Sequence, residues 1–222
     1  MARAEPELFR PGSIAERTNL WRVTAHVYEP LWRRFSTGIL TRGKWTLQEE
    51  FDLVCRLLQP KNKGIYLDIG SSTGVYARAI VAANPESTVV LIDYSRPMLR
   101  KAQKKLGNNK RAVFLLCNAE HLPLPDNSVD GAVMGGTLNE MTEPRLVLRE
   151  LERVMKKGAI AVVMHLVRHR EKRSLLQKIL AGGGVWFPLP GEADALFQEA
   201  GFETMQSGIA GIMRVSRLHK PG

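Results

Sequence analysis

The residues of this chain with the clearest capacity for chemistry are two aspartates and two glycines in its first half. Asp68 lies in a short apolar run, and Gly70 and Gly74 bound the turn that follows it. Asp93 ends a second apolar run, 89–92, and lies 19 residues beyond Gly74. A glycine turn brings backbone N–H groups close to a ligand, and a carboxylate on the neighbouring strand can accept hydrogen bonds from ribose hydroxyls. The spacing therefore predicts a nucleotide-type site.

The turn does not fit the dinucleotide-binding fingerprint. That fingerprint requires glycine two and five residues after the first glycine of the loop. Those positions are Ser72 and Val75 in this chain. The NAD fingerprint therefore fails, and the sequence indicates another nucleotide-type ligand.

The elements that must position these residues alternate between strand and helix. Short apolar runs bounded by turn residues predict strands, and apolar residues three and four apart predict helices. The predicted strands are 65–69, 89–92, 112–116, 129–134, 160–166 and two within 202–218 around Gly208 and Gly211; the predicted helices are 13–28, 47–58, 96–106, 144–157, 169–180, 192–200 and one beginning at residue 75. Repeated strand and helix units predict an α/β fold with a doubly wound, mostly parallel sheet of seven strands.

Length and composition bound the domain organisation. The chain has 222 residues, 44% of them hydrophobic, which is enough for one sizeable core. We expect a single structural domain, in which residues 1–60 form an N-terminal arm and helical cap and residues 61–222 form the ligand-binding part. Within the latter, residues 169–190 interrupt the strand and helix rhythm and are predicted to be a lid-like insertion presenting Trp186 and Phe187, with a passive surface loop as the alternative.

Charge and cysteine content bound the partners. The net charge of +10 is compatible with a nucleic acid, an anionic membrane surface, an acidic substrate or a solvated basic surface. Cys55 and Cys117 are far apart in apolar runs, which predicts neither a disulfide framework nor a metal site. No apolar run approaches the ~20 residues that cross a bilayer, and residues 1–12 lack the apolar stretch of a signal peptide. We expect a cytoplasmic protein, with peripheral membrane contact left open.

One segment of the predicted cap bears on that contact. Residues 31–45 interleave Trp32, Phe35 and Trp45 with arginines and a lysine. This pattern suits a lipid headgroup boundary or a nucleic-acid strand, and it equally suits a helical cap that packs its aromatic residues onto the domain.

Five segments in order resemble the successive motifs of class I S-adenosylmethionine (SAM)-dependent methyltransferases of the ubiquinone and menaquinone C-methyltransferase group, the type 11 methyltransferases. They are "YLDIGSSTG", "VVLIDYSRPML", "CNAEHLPLPDNSVDGAVMGGTLNEM", "VLRELERVMKKGA" and "LFQEAGF". The resemblance covers most of the chain and departs from the D-x-G-x-G-x-G loop at Ser72. It implies a Rossmann-like fold and SAM as the cofactor, with residues 61–222 as the SAM-binding domain.

The resemblance also implies a set of cofactor-binding residues. Asp68, Gly70, Ser71 and Gly74 would line the methionine and ribose side of SAM, and Asp93 would hold the ribose hydroxyls. Tyr94 and Met98 would flank the adenine, and Asn118 and Ala119 would lie at its edge. Gly135 would lie where the fourth strand meets the methyl group, and Tyr28 would cover the methionine part.

The implied reaction is methyl transfer to a small acceptor. SAM is already activated, so that alignment and exclusion of water can supply much of the rate. Carbon methylation of a phenolic ring would still benefit from a base, and the candidates by position are His26, Glu140 and His165. The aromatic and apolar segments that could roof the pocket favour an apolar, aromatic or lipid-like acceptor. An RNA methyltransferase and a non-catalytic SAM-fold binding protein are the alternatives; the oligomeric state is left open.

Overall fold

A computed structural model describes residues 34–168 and 175–222. The helices in these ranges are α1 (Arg34–Thr41), α2 (Leu47–Leu58), α3 (Val75–Ala83), α4 (Arg96–Leu106), α5 (Pro144–Val154), α6 (Leu175–Gly182) and α7 (Pro190–Glu199). The strands are β1 (Ile65–Ile69), β2 (Thr88–Asp93), β3 (Ala112–Leu116), β4 (Val129–Gly135), β5 (Met155–Leu166), β6 (Glu203–Ala210) and β7 (Met213–His219). A short 3₁₀-helix, Thr137–Glu140, follows β4.

The seven strands form one sheet in the order β3-β2-β1-β4-β5-β7-β6. Strands β1 to β5 are parallel, and β7 is antiparallel to both β5 and β6. The chain leaves β1 toward β2 and β3 and then returns to the other side of β1 for β4 and β5. This reversal opens a crevice at the carboxyl ends of β1 and β4, where open α/β sheets bind ligands. The predicted doubly wound, mostly parallel sheet is confirmed.

Apolar side chains cover both faces of the sheet, which produces two cores. In β1, Leu67 and Ile69 pack on the face that α5 and α7 cover, whereas Tyr66 packs on the opposite face with residues of α2 and α3. The sequence of α5 favours a helix because its buried residues recur three and four apart and so share one face: Val147, Leu148, Leu151 and Val154. The central strands are thus shielded from water on both sides.

Two predicted boundaries differ from the structure: the end of the helix before β5, and the position of the turn between the last two strands. The sequence places Lys156, Lys157 and Gly158 at the end of a helix, but β5 begins at Met155 and includes all three. Pairing overrides their helix-ending pattern, because Met155 pairs with β4 and the N–H of Gly158 donates to the carbonyl of Lys220 at 2.8 Å. The final turn lies at Gly211 alone, where φ is +61°, and Gly208 is an ordinary residue of β6.

Part of the predicted N-terminal cap lies outside the described residues: the arm and the helix 13–28, with His26 and Tyr28. The described part, α1 and α2, packs against the sheet core through Leu40, Val54 and Leu58. Helix α2 has the predicted bounds, and a capping box starts it. The hydroxyl of Thr46 accepts from the Glu49 amide at 3.2 Å, and the Glu49 carboxylate accepts from the Thr46 amide at 2.7 Å.

The glycine-rich part of the predicted lid is anchored to the sheet. Phe187 is buried in the core instead of being presented to solvent, and Trp186 is half-buried. The carboxamide of the buried Asn139 donates to the carbonyls of Leu166 and Trp186 at 2.8 and 2.6 Å and accepts from the Leu166 amide at 2.6 Å. The guanidinium of Arg168 also donates to the Phe187 carbonyl at 3.1 Å. Residues 169–174 lie outside the described ranges.

Candidate active site

Asp68 contacts the helix that follows the glycine loop and does not line the cavity at the carboxyl ends of the strands. Its side chain is fully buried, and one carboxylate oxygen accepts from the Ala77 amide at 2.9 Å. Ala77 lies in the first turn of α3, where backbone amides lack partners within the helix. Asp68 therefore caps α3 from the preceding strand, and its contact with SAM stays a prediction.

The two outer glycines of the loop are required for different reasons. At Gly70, where φ is +64°, a Cβ atom would lie 2.2 Å from the Thr137 hydroxyl oxygen, so that only glycine fits above the end of β4. At Gly74, where φ is +73°, a Cβ atom would lie 2.9 Å from Leu91, which places this residue toward the core. Ser71 is likewise buried and directs its amide to the Ile92 carbonyl at 3.0 Å. Of these residues only Gly70 lines the cavity.

Ser72 lines the cavity although it departs from the glycine pattern. Its φ is +48°, a left-handed conformation that glycine adopts at least cost. Its amide donates to Asp93 Oδ2 at 2.7 Å, and its hydroxyl lies 3.4 Å from the Met98 sulfur. These two contacts hold the serine in a conformation that most side chains avoid.

Asp93 is the central acid of the cavity. It ends β2, is 8% exposed, and accepts one amide at each oxygen: Ser95 at Oδ1 and Ser72 at Oδ2, both at 2.7 Å. Burial raises the pKa of Asp93 to about 6, and the two amide hydrogen bonds oppose that rise. A carboxylate has about four acceptor positions, so that Asp93 retains capacity for ligand hydroxyls.

The remaining predicted cofactor-binding residues beside Asp93 also line the cavity: Tyr94, Met98, Asn118, Ala119 and Gly135. Asn118 is held within its own loop. Its oxygen accepts from the Glu120 amide at 3.1 Å, and its nitrogen donates to the Glu120 carboxylate at 2.9 Å. Glu120, which we did not single out from the sequence, therefore lies in the same wall of the cavity.

The lining of the cavity divides into two groups by origin. The first group, named the polar lining after Ser72, Asp93, Asn118 and Glu120, comes from residues 70–120 other than Tyr76 and consists of Gly70, Ser72, Ile92, Asp93, Tyr94, Met98, Cys117, Asn118, Ala119 and Glu120. The second group, named the apolar lining after Leu40, Met141, Val147, Leu166 and Met213, also includes Ser36 and Tyr76, and all of its members except Tyr76 lie outside residues 70–120. Gly135, Gly136, Thr137 and Glu140, at and after the end of β4, complete it.

The sequence analysis missed Tyr76 and its partners. The Tyr76 hydroxyl donates to Glu50 Oε1, and the Thr37 hydroxyl donates to Glu50 Oε2 at 2.6 Å. Glu50 is fully buried. Tyr76 occupies an apolar position of an ordinary amphipathic helix, and Glu50 is one of two adjacent glutamates at the start of α2, so that neither carries a local signal.

The three predicted bases have different positions. Glu140 lines the cavity. His165 does not: it is fully buried, with its ring 5.6 Å from that of Phe197 in edge-to-face contact. Burial, together with the nearby charge of Arg214, lowers the pKa of His165 to about 3. The structure therefore corrects the prediction that His165 is a base. His165 is a core residue, because β5 directs its side chain toward α7. His26 lies outside the described ranges.

Two further properties concern residues 34–168 and 175–222. Within them there is no cluster of three or more His, Cys, Asp or Glu side chains arranged to hold a metal ion. None of the helices described there combines the length and the apolar character that crossing a bilayer requires.

The fold and the cavity define the class I SAM-dependent methyltransferase architecture: a seven-stranded sheet with an antiparallel β7, a glycine loop after β1 and an acid at the end of β2. Comparison with solved structures agrees. The chain is similar to phosphoethanolamine N-methyltransferase 2 from Haemonchus contortus in complex with SAM, with a TM-score of 0.71 and 18% identity, over 90% of this chain and 47% of that one. At that identity the likeness concerns the fold.

Sequence comparison gives the family. Residues 67–163 match the methyltransferase domain family of type 11. The chain is 33% identical over 151 residues to a demethylmenaquinone methyltransferase from Roseiflexus sp. strain RS-1, covering 68% of this chain and 59% of the relative. It is 30% identical over 169 residues to 2-methyl-6-phytyl-1,4-hydroquinone methyltransferase 1 from Oryza sativa subsp. japonica, covering 76% and 50%. The chain belongs to the class I SAM-dependent methyltransferases and resembles the quinone C-methyltransferase group.

The cavity fits SAM, the cofactor of this class. Asp93 offers acceptor positions for vicinal hydroxyls, and Tyr94 and Met98 supply an aromatic and an apolar surface beside it. Gly70 and Gly135 line the cavity at the ends of β1 and β4. The chain spans 48 to 62% of the length of the first curated relatives that it matches. Their activities as whole proteins are therefore a starting point for a proposal.

Proposed function

We propose that this protein transfers the methyl group of SAM to a carbon of a quinol-type aromatic ring that carries an apolar chain. The observation that carries the proposal is the contrast within one cavity: Asp93 and the polar lining on one side, and an apolar lining on the other. The polar lining suits a nucleoside, whereas side chains such as Leu40, Leu166 and Met213 suit a hydrocarbon-bearing acceptor. The relatives named above act on rings of this kind, which supports the acceptor class.

The chain's own residues have separable tasks in this reaction. SAM, when bound, supplies an electrophilic methyl group. Asp93 and the glycine loop fix the nucleoside, while the apolar lining orients the ring and excludes water from the reacting atoms. Positioning of this kind can supply roughly 7–11 kcal/mol of a barrier when the geometry is close to that of attack.

The first test is isothermal titration with SAM and with S-adenosylhomocysteine (SAH), followed by methyl transfer from labelled SAM to demethylmenaquinol and to a prenylated benzoquinol. We expect micromolar binding of both nucleosides and label in one of the quinols. A folded protein that binds neither nucleoside would contradict the cofactor assignment. Binding of SAM without transfer to any quinol would contradict the acceptor class and leave the cofactor assignment standing.

An apolar chain-bearing acceptor resides in a bilayer, and we infer that the rim of the cavity contacts an anionic membrane surface. Helices α1 and α6 flank the β6–β7 turn: the Ile212 amide donates to the Leu40 carbonyl at 2.9 Å, the Val167 amide to the Ile212 carbonyl at 2.8 Å, and the Gln177 carboxamide to the Val167 carbonyl at 3.0 Å. Each helix exposes one isoleucine, Ile39 at 58% and Ile179 at 65%.

Positive charge accompanies the two isoleucines, since Arg42, Lys44 and Lys178 are exposed on or beside the same helices. Apolar side chains among basic ones suit insertion at an anionic headgroup layer. The test is co-sedimentation with phosphatidylglycerol vesicles. We expect Ile39→Ser/Ile179→Ser to bind at least fivefold more weakly, and Met205→Ser, which alters a residue 57% exposed near the opposite end of the sheet, to bind like wild type. Equal binding of the two variants would contradict this surface.

A further inference from the structure

A second cavity, of about 370 Å³, lies at the end of the sheet opposite the candidate active site. It forms where α2 ends and where β1, β4 and β5 begin, and the last residues of β7 close one side. Among the described residues, four lysine and arginine side chains and one carboxylate line it: Lys61, Lys156, Lys157 and Arg217, with Asp130. Apolar side chains complete the wall, Leu58, Ile160 and Met205 among them. The second cavity therefore combines an excess of positive charge with room for a small molecule.

A bulge in β5 carries two of these lysines. Residues 156–159 of β5 lie opposite a single residue of β4, Asp130. The main chain of the bulge is fastened to the end of β7: the Gly158 amide donates to the Lys220 carbonyl at 2.8 Å, and the Lys220 amide donates to the Ala159 carbonyl at 3.0 Å. Bulges redirect side chains out of the regular alternation of a strand. This one directs lysines to the second cavity from a main chain that is held in place.

The lysines of the second cavity differ in their partners. Lys156 Nζ lies 2.8 Å from Asp130 Oδ1, and the same carboxylate accepts from the Ile65 amide at 2.9 Å. Lys61 and Lys157 are exposed, and neither has a carboxylate of residues 34–168 or 175–222 within 4 Å. The one carboxylate of the lining is therefore engaged by Lys156, and positive charge remains on the other lysines.

Arg217 adds a cation that neutral groups position. Its Nε donates to the carbonyl of Leu57, near the end of α2, at 2.9 Å, and its Nη1 lies 3.0 Å from the Met205 sulfur. Arg214 on the same strand contacts Asp194 at 2.8 Å, whereas Arg217 forms no ion pair with any carboxylate in the described part of the chain. A guanidinium has more N–H groups than these two contacts use. Arg217 can therefore donate to an anion without giving up its present contacts.

A buried tyrosine supplies a further donor. Tyr66 lines the second cavity, is 1% exposed, and accepts from the Lys61 amide at its hydroxyl oxygen at 2.5 Å. Two glycines make room for its ring, because a Cβ atom on Gly64 would lie 2.6 Å from Tyr66 Cε2 and one on Gly131 would lie 3.1 Å from Tyr66 Cε1. Burial raises the pKa of Tyr66, so that the phenol keeps its proton at neutral pH. No group in the described ranges accepts that proton, which is therefore available to a ligand.

We propose that the second cavity binds a small phosphate-bearing anion, with Arg217 and Lys157 contacting the phosphate oxygens and the Tyr66 hydroxyl donating to one of them. All three groups donate, and ionised phosphate oxygens accept. A phosphate group presents more oxygens than a carboxylate does, which suits donors that come from three different strands. The volume also leaves room for an organic group beside Leu58 and Ile160. The inference is independent of the proposed function, because the two cavities share no lining residue among those described.

The first experiment is titration calorimetry of the full chain with inorganic pyrophosphate at constant ionic strength. We expect wild type to bind pyrophosphate with a submillimolar Kd. Lys157→Gln/Arg217→Gln should bind at least tenfold more weakly, because charge-assisted hydrogen bonds are lost. Arg100→Gln/Lys104→Gln is the matched control: it removes the same charge from the exposed face of α4 and should bind within twofold of wild type.

Tyr66→Phe tests the hydroxyl separately. The phenyl ring still fills the space between Gly64 and Gly131, and only the donor to the ligand and the acceptor of the Lys61 amide are removed. We expect pyrophosphate to bind at least threefold more weakly. Urea denaturation shows whether each variant is folded, and Lys157→Gln/Arg217→Gln, which alters side chains at the edge of the cavity, tests the site whether or not Tyr66→Phe folds.

The phosphate can belong to a soluble molecule or to a lipid headgroup, and vesicle binding distinguishes these sources. Wild type and Lys157→Gln/Arg217→Gln are compared by co-sedimentation with phosphatidylglycerol vesicles. Equal sedimentation, which we expect, assigns the site to a soluble anion, because Ile39 and Ile179 lie at the other end of the sheet. A tenfold loss of sedimentation in the variant assigns the site to a headgroup phosphate.

Two results would overturn the inference. One is a folded wild-type protein that does not bind pyrophosphate. The other is equal weakening in Lys157→Gln/Arg217→Gln and in the α4 control, which would make the attraction a matter of net charge. Either result leaves the SAM titration and the quinol assay, and with them the proposed function, unaffected. Conversely, a protein that binds pyrophosphate as expected but binds neither SAM nor SAH would keep this inference and lose the proposed function.

Discussion

The polar and the apolar lining of the cavity are built in different ways. Apart from Tyr76, the cavity residues of the stretch 70–120 form the polar lining, and backbone amides fix its central acid, Asp93, at both oxygens. The apolar lining gathers side chains from α1, α3, α5, β5 and β7, and contacts between distant segments fix their positions. Under the proposed function, nucleoside binding would depend on a mostly continuous local structure, whereas acceptor binding would depend on the whole fold. Substitutions should therefore affect the two functions separately.

The largest effect is expected for Asp93→Ala. Losing a charged acceptor for two ribose hydroxyls should weaken SAM binding by at least ~150-fold, since such hydrogen bonds contribute about 1.5–3 kcal/mol each. Titration calorimetry measures the change. Asp130→Ala is the matched control, because Asp130 accepts from the Ile65 amide and from Lys156 at the opposite end of the sheet. We expect that variant to bind SAM like wild type; an Asp93→Ala protein that binds within tenfold would contradict the ribose assignment.

Asn139→Ala tests the support of the apolar lining. The substitution removes three buried hydrogen bonds that join the end of β5 to the loop at Trp186. We expect the free energy of unfolding to fall by about 3 kcal/mol, because the backbone groups left behind are also buried. Urea denaturation measures this loss, and SAM affinity should stay within threefold. Asn109→Ala, which removes one local turn contact to Arg111, should cost less than ~1 kcal/mol.

Gly135→Ala alters the boundary between the two linings. The new Cβ atom would overlap the Tyr76 ring, which must move away from β4. We expect a loss of about 2 kcal/mol in stability, typical of overpacking, and a quinol KM that rises more than the Kd of SAM. Gly208→Ala in β6, where nothing lies within 4 Å of the added atom, should leave both constants unchanged. Equal effects of the two substitutions would contradict the role of Gly135 in making room for the Tyr76 ring.

The smallest effect concerns pH. Burial raises the pKa of Asp93 to about 6, and only the ionised carboxylate can accept from both ribose hydroxyls. The affinity for SAM should therefore be constant above pH 6 and fall up to tenfold for each pH unit below it. Titrations at pH 7.5, 6 and 5 measure the slope.

The same contrast explains what the sequence could predict. The strands 65–69 and 112–116 and the helix 47–58 have the predicted bounds, since turn residues bound each run. Gly70 and Asp93 were recognisable because their spacing reflects local geometry. Asp68 follows the same pattern, yet its carboxylate caps α3, a distinction that depends on side-chain direction and not on spacing.

The apolar lining had no such signal. Glu50 and Tyr76 are 26 residues apart and meet only after α2 and α3 pack on the sheet. His165 was proposed as a base because it lies near the end of a strand, but whether a strand residue faces a cavity or a helix depends on the register of β5 with β7. The burial of Phe187 likewise depends on Asn139, which lies far from it in sequence.

The turn at Gly211 has a consequence for how the protein is made. A Cβ atom there would lie 2.2 Å from the carbonyl oxygen of Leu40, so that the hairpin of β6 and β7 fits closely against one of the earliest described helices. A ribosome adding ~5–20 residues per second needs roughly ten to thirty seconds to pass from one of these positions to the other. During synthesis α1 is therefore made long before the turn that packs on it, and the polar lining is synthesised before Met213, the last residue of the apolar lining.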